Sequence, residues 1–260
     1  MNARGMWRSA LNPLFGIALI LVIWEAAVRL FDVPLFLLPP PSRIWREIAA
    51  NAPMLFRHAS STLGVILAGF ASATLVGIPL ALAVSFSRWF RRTVYPMLVF
   101  SQLVPKIAIA PLFVIWFGFG ILPKVLIAFL LSVFAVVIQS MVGFTAIRPE
   151  QIHVARSMGA KGLTLFLKVR LPHALPNIFA GLKLAMASSA IGAIVGEFIA
   201  SQRGLGYLVL VANGEMNTPL AFAGMLLLTL MGIVLYFAVE AVERWLTGWH
   251  VSQRLEQAGA

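Results

Sequence analysis

The 260-residue sequence contains no cysteine, which removes disulfides, thiolate metal sites and thiol nucleophiles together. Charge is scarce as well. Only 11% of the residues are Asp, Glu, Lys or Arg, and the acids number 9 against 20 bases. The four histidines (His58, His153, His173 and His250) are scattered, with no H-E-x-x-H or similar ligand spacing, so no metal site is expected. No clustered His, Asp or Ser constellation stands at the end of an apolar run, which argues against a membrane enzyme. Internal repeats, low-complexity tracts and a linker to a soluble domain are also missing, leaving one domain over 1–260.

What is present is apolar. Hydrophobic residues make up 60% of the chain and mean hydropathy is +0.93. A soluble domain of this balance could not cover its surface with polar groups, so the reading is an all-α integral membrane protein with lipid as its main solvent. Charge-free or nearly charge-free runs predict six spans, at about 13–31, 62–86, 94–117, 125–147, 174–200 and 220–242. The first carries Glu25 and Arg29 one turn apart, in the favourable order for a self-neutralising pair. It is too long for a signal-peptide core and no small-x-small site follows, so it reads as an uncleaved helix. The third contains Lys106 and is interrupted by Pro105 and Pro111.

The net charge of +11 is explained by position. With the N-terminus inside, the cytoplasmic segments hold Arg4, Arg8, Arg88, Arg91, Arg92, Arg148, Arg156, Lys161, Lys168, Arg170, Arg244 and Arg254. The opposite side holds only Arg43, Arg46, Arg57, Lys124 and Arg203. This bias predicts both termini in the cytoplasm and leaves no reason to expect nucleic-acid binding. Between the first two spans, Pro39, Pro40 and Pro41 rule out a helix, and the amphipathic stretch around Ile44, Trp45, Ile48, Met54 and Leu55 should lie along the interface.

The segment 148–173 is a basic, glycine-broken interlude facing the cytoplasm. Pro149 and Glu150 suit a first helical turn, and Gly159 stands where a residue of positive φ closes a helix. A second helix is expected from about Lys161 to Arg170, with Leu163, Phe166 and Leu167 on one side and an end at Pro172. Periodicity alone is equally consistent with a plain basic loop. The small face of Ala155, Gly159 and Gly162 instead suits close approach of another protein.

The spacing His153-Val154-Ala155, three residues, Gly159, nine residues, Val169, one residue, Leu171-Pro172 resembles the cytoplasmic signature loop of ABC importer permeases. That signature reads Glu-Ala-Ala, x3, Gly, x9, Ile, x, Leu-Pro, so His153 replaces the acid while the glycine and the Leu-Pro pair are kept. The segments Val104–Ala108, Pro111-Leu112, Trp116–Gly118, Leu171–Pro176, Gly181-Leu182, Glu197 and Gly204–Tyr207 are similar to the branch that handles nitrate, aliphatic sulfonates and taurine. The resemblance implies a type I importer fold in a bacterial inner membrane, working as a homodimer. It implies two ABC ATPase subunits docked on each pair of copies, a periplasmic or extracellular solute-binding protein, and no cofactor in this chain. The residues it assigns to ATPase coupling are His153, Val154, Ala155, Ser157, Gly159, Ala160, Leu171 and Pro172. The absence of a G-x-x-x-x-G-K-[ST] loop agrees with ATP being bound elsewhere.

Charged residues at membrane depth are candidates for the translocation path. Lys106 either lines the path, or pairs with carbonyls freed by Pro105 or snorkels to water, because an unpaired cation there costs about 2.5–3.5 kcal/mol. Glu197, among Gly192, Gly196 and Ala200, either makes a buried hydrogen bond at a dimer or gate contact or is hydrated near the interface. Lys183 should snorkel, while Glu240, Glu243 and Arg244 read as an interfacial cluster. Gly204, Gly206 and Gly214 bracket the apolar stretch from Tyr207 to Ala212, too short to span, which is either re-entrant at a gate or a lipid-surface helix. The solute is expected to be a small anion such as a sulfonate, taurine or nitrate. An ion-coupled secondary transporter is the alternative, although it would call for paired midplane charges and repeated halves.

Overall fold

The computed structural model describes residues 3–247, with side chains from residue 15 onward. Arg254 and His250 lie outside the described residues, as do the side chains of Arg4 and Arg8. Every regular element among the described residues is helical. In chain order these are α1 (Ala3–Leu30), α2 (Pro41–Ala50), α3 (Ala52–Phe86), α4 (Arg88–Leu103), α5 (Ala110–Phe117), α6 (Ile121–Thr145), α7 (Pro149–Ser157), α8 (Gly162–Leu165), α9 (Leu171–Ala200), α10 (Leu205–Gly214) and α11 (Thr218–Leu246). A 3₁₀ turn, Lys106–Ile109, joins α4 to α5, and a π-helical turn, Phe166–Arg170, joins α8 to α9.

The core is a three-helix seam of α3, α6 and α9. Lipid is as apolar as leucine, so close packing rather than water exclusion must hold such helices together. Small residues provide it. A Cβ built on Gly192 would lie 2.5 Å from Ala128 Cα, and one on Gly181 would lie 2.8 Å from Gln139 Cβ. Around these contacts Val65, Ile66, Val136, Phe179, Ala185 and Met186 form the buried centre. A second cluster joins Leu55 of α3 to Leu205 and Leu208 of α10 and Leu220 of α11.

Two features of the sequence fix the ends. Glu25 pairs with Arg29 at 2.5 Å and also accepts from the Ser42 amide at 2.9 Å, tying the end of α1 to the start of α2. Pro41 occupies the first turn of α2, where its missing N–H costs nothing. The amphipathic stretch divides between α2 and the first turn of α3, so α3 begins well before the run 62–86.

Among the described residues four helices are long and apolar enough to cross a bilayer unbroken: 52–86, 121–145, the continuous 162–200 stem and 218–246. The run 94–117 is not one straight helix. α4 and α5 are bent by 86° at Val104–Pro105, where the proline ring and missing N–H interrupt the ladder. Topology decides what this bend does. α3 finishes beside the 149–170 hairpin, whereas α6 starts beside Glu197, so the bent pair carries the chain from one end of the bundle to the other. The first expected span, about 13–31, falls on α1.

The expected helix end at Pro172 is corrected by the structure. Residues 162–200 form one 39-residue helix. Pro172 lacks an N–H, and the π turn just before it widens the ladder, with Leu171 N–H donating to Phe166 O, so the helix continues through the proline. The short apolar stretch after Gly204 forms α10, and its buried Leu205, Leu208, Val209 and Ala212 pack against α9, α11 and α3. A helix lying only on the lipid surface would not bury this face.

Candidate functional sites

The hairpin end is built by a tight turn. α7 closes with a Schellman motif: Gly159 N–H donates to Arg156 O at 2.9 Å and Ala160 N–H to Ala155 O at 3.0 Å. Gly159 has φ +87°, a conformation that suits glycine. Ser157 Oγ folds back onto His153 O at 3.0 Å. His153, Val154, Ser157 and Gly159 are exposed on this cap, Ala155 and Ala160 are half-buried, and Leu171 and Pro172 lie lower in the α9 stem. The cap presents large apolar side chains to solvent: Met158 is 83% exposed, Leu163 70% and Val154 61%. Val154 and Met158 stand one turn apart on a single face. Sequence reasoning did not single out Met158 and Leu163 as an exposed apolar pair, although their i,i+4 and post-turn positions carried the signal.

The opposite end of the bundle holds a buried carboxylate. Glu197, near the end of α9, has no exposed surface. It accepts from Thr62 Oγ1 at 2.8 and 3.1 Å and from Gly206 N–H at 2.8 Å. Thr62 Oγ1 in turn accepts from Leu205 N–H at 2.8 Å. The first turn of α10 therefore aims two backbone donors, with the positive end of its dipole, at one threonine–glutamate pair. Gly204 N–H donates to His58 Nδ1 at 3.1 Å, and Tyr207 stacks on the His58 ring at 6.3 Å and 13°. A Cβ on Gly204 would overlap the Glu197 carboxylate, and its φ is +121°. Lys124, at the start of α6, is also buried; it donates to Ser201 Oγ at 3.0 Å and attracts the Glu197 charge.

Of the two alternatives for Glu197, the structure favours the buried hydrogen bond over the hydrated carboxylate, with its bonds running to α3 and α10 of its own chain. Its partners Thr62 and Lys124, and His58 beside Gly204, had no local signal in the sequence. The structure gathers Glu197, Gly204, Gly206 and Tyr207 into one knot but leaves Lys106 apart. The Lys106 ammonium sits 3.8 Å from the centroid of Phe134, mid-way along α6, as a cation–π contact rather than a carbonyl-paired group.

Lys183 does not snorkel. Its ammonium pairs with Glu243 at 2.7 Å, with side chains 11% and 4% exposed, bridging α9 and α11. Of the expected interfacial cluster, only Arg244 and Glu240 pair at the surface, at 2.7 Å. Removing one partner of a buried pair strands a charge, which typically costs about 3–5 kcal/mol. Lys183→Met is therefore expected to lower the unfolding temperature of the purified protein markedly, and Lys183→Met with Glu243→Leu to regain much of it. Equal thermal stability of Lys183→Met and the parent would show that this pair contributes nothing.

A cavity of ≈ 610 Å³ opens beside the carboxylate knot, lined by Arg57, His58, Ser60, Ser61, Gln202 and Arg203. Two guanidiniums, an imidazole and several neutral donors line it, and no carboxylate does so among the described residues. It lies at the far end of α3 from the hairpin. The 27 positions from His58 to Ser85 correspond to roughly 40 Å of helix.

Residues 73–248 match the family described as "Binding-protein-dependent transport system inner membrane component". The riboflavin transport system permease protein of Chloroflexus aurantiacus is 36% identical over 238 residues, covering 90% of this chain and 88% of the relative. The taurine transport system permease protein of Escherichia coli K12 is 30% identical over 241 residues, covering 90% and 88%. Among solved structures, the methionine ABC transporter MetNI in inward-facing conformations aligns with TM-score 0.64 at 19% identity, over 75% of this chain and 96% of that one. That last likeness concerns the fold alone.

Proposed function

The chain belongs to the binding-protein-dependent transport inner membrane component family, and from that premise we propose that two copies form the translocation path of an ATP-driven importer. It is a membrane-spanning transport component, and the family sets aside the ion-coupled secondary transporter. The observation that carries the finer reading is the hairpin cap. Exposed Val154, Met158 and Leu163 sit above a turn fixed by Gly159, in the family's signature spacing and surrounded by basic residues. A rigid apolar cap of this kind serves as a docking knob for a separate ATPase subunit, one per copy. Nucleotide-driven movement of the two ATPases would then rock the stems, because residues 162–200 are one continuous lever from the cap to Glu197.

The hairpin faces the cytoplasm in this reading, with both chain termini on the same side by the distribution of Lys and Arg. The carboxylate knot then faces the periplasm or cell exterior, where a solute-binding protein delivers cargo. Glu197, Gly204, Gly206 and Tyr207 form the hinge of the outer gate, and Lys106 stands along the path. The cargo is a small anion: the cavity beside the gate offers Arg57, Arg203 and His58 without an opposing acid, and a relative carries a name for taurine transport.

The test is reconstitution into vesicles with the ATPase subunits and binding protein. Uptake of a taurine-like sulfonate should require ATP inside and survive collapse of ion gradients. Arg57→Gln with Arg203→Gln should cut uptake about tenfold while the ATPase remains bound. Uptake driven by an ion gradient without ATP would overturn the importer reading. Unchanged anion uptake by the double variant would overturn the cargo assignment alone.

A further inference from the structure

We propose that the cleft between the last turns of α3 and α6 and the foot of the α8–α9 stem binds the phosphodiester headgroup of an anionic phospholipid. Two adjoining cavities, ≈ 430 and ≈ 320 Å³, share Phe86 and Arg170 as walls. The larger is also lined by Ser85, Arg91 and Thr145, and the smaller by Arg156. Three guanidiniums thus converge, and no carboxylate lines either cavity among the described residues.

Unsatisfied donors point to a missing acceptor. Ser85 is 8% exposed and its Oγ has no hydrogen-bond partner. Arg170 Nε is likewise buried without one. Buried polar atoms are nearly always paired, so two orphans on one basic cavity call for an explanation. Arg170 is held in place by stacking, its guanidinium carbon 4.8 Å from the Phe86 centroid. Arg91 is anchored by donating to Ser85 O at 2.6 Å. Both keep further N–H groups for an anion, since a guanidinium has five. A phosphate oxygen placed here would satisfy Ser85 and Arg170 together.

The surroundings favour a lipid as the source of that phosphate. Phe86, Phe144 and Phe166 form a triangle with centroids 6.0–6.1 Å apart, giving the cleft an apolar wall. The cleft opens where two membrane-crossing helices end, which is headgroup depth. Trp89, 63% exposed on the next turn, is the residue type that settles at this level. Arg88 and Arg92 are exposed on the same helix and add to the attraction for an anionic surface. Basic pockets between spans with an apolar wall suit phosphatidylglycerol or cardiolipin better than a soluble ion.

The experiment uses the permease–ATPase complex purified in mild detergent from membranes of mixed lipid, with retained lipid identified by mass spectrometry. Wild type should retain phosphatidylglycerol at least tenfold over phosphatidylcholine, and Arg91→Gln with Arg170→Gln should lose that preference. Arg91→Lys, which keeps the charge, should retain it, so the readout does not depend on a variant that fails to assemble. Equal retention of both lipids by the wild type would overturn the proposal. So would displacement of phosphatidylglycerol by millimolar inorganic phosphate, which would assign the site to a soluble anion. Absence of lipid from the complex, with retention by the permease alone, would overturn it too, placing a protein group in the cleft.

Discussion

Gly204→Ala is expected to strip most of the folded protein from the membrane and to lower the unfolding temperature of what remains more than any other single methyl addition. Two costs coincide at this position. The backbone has φ +121°, where any residue but glycine is strained by about 1–3 kcal/mol. The added carbon would also overlap Cδ and both oxygens of Glu197. That carboxylate cannot swing aside without losing its bonds to Thr62 and Gly206, and overpacking of this kind costs about 1–3 kcal/mol more. The total, about 2–6 kcal/mol, is comparable with the whole stability of a modest domain. Glu197→Ala alone should also destabilise, because Gly206 N–H loses its acceptor, at about 1–3 kcal/mol for the buried orphan, while Thr62 Oγ1 keeps His58 O at 3.2 Å. The double variant separates the two effects. Glu197→Ala should recover part of the Gly204→Ala loss by removing the overlap and none of the φ strain, so the two changes should be markedly non-additive. Wild-type stability of Gly204→Ala would mean that the α9–α10 junction is not closed over Glu197.

The sequence carried the parts of this architecture that are local. Gly159 after a basic helical turn announced the Schellman closure and Pro149 announced a first turn, because those residues answer to the backbone of their own neighbours, whereas Pro41, read with Pro39 and Pro40 as ruling out a helix, in fact opens α2. Charge-free runs marked the spans because lipid penalises each charge wherever it falls. Non-local pairings were illegible for the same reason. Thr62 and Glu197 are separated by 135 residues, and nothing near either names the other. Lys183 looked like a snorkelling cation because Glu243 belongs to another helix. Gly204 and Gly206 read as bracketing a short apolar stretch at a gate or the lipid surface, and only the fold shows that their missing side chains make room for a carboxylate. Pro172 misled because a proline's local rule is to end a helix, while the π turn before it supplied a way through.

Met158→Asp is expected to detach the ATPase while leaving the spans intact, so the loss of transport should be nearly complete. Met158 is 83% exposed, so a carboxylate at this site meets water in the isolated permease and fold stability should not change. In a docked assembly the same side chain would be forced into an apolar contact. Central apolar anchors of protein interfaces commonly contribute 2 kcal/mol or more, so affinity for the ATPase should fall about thirtyfold or further. Val154, one turn away on the same face, should behave alike, and Leu163 across the turn should contribute to a lesser degree. Gly159 supplies the control for shape. Gly159→Asn tolerates positive φ and has open space around its Cβ, so docking should be nearly normal, whereas the β-branched Gly159→Val should tilt the cap and weaken docking without adding charge. Co-purification from membranes reads all of these variants. If Met158→Asp retained the ATPase at wild-type level, the exposed apolar cap would have to serve some contact other than the motor.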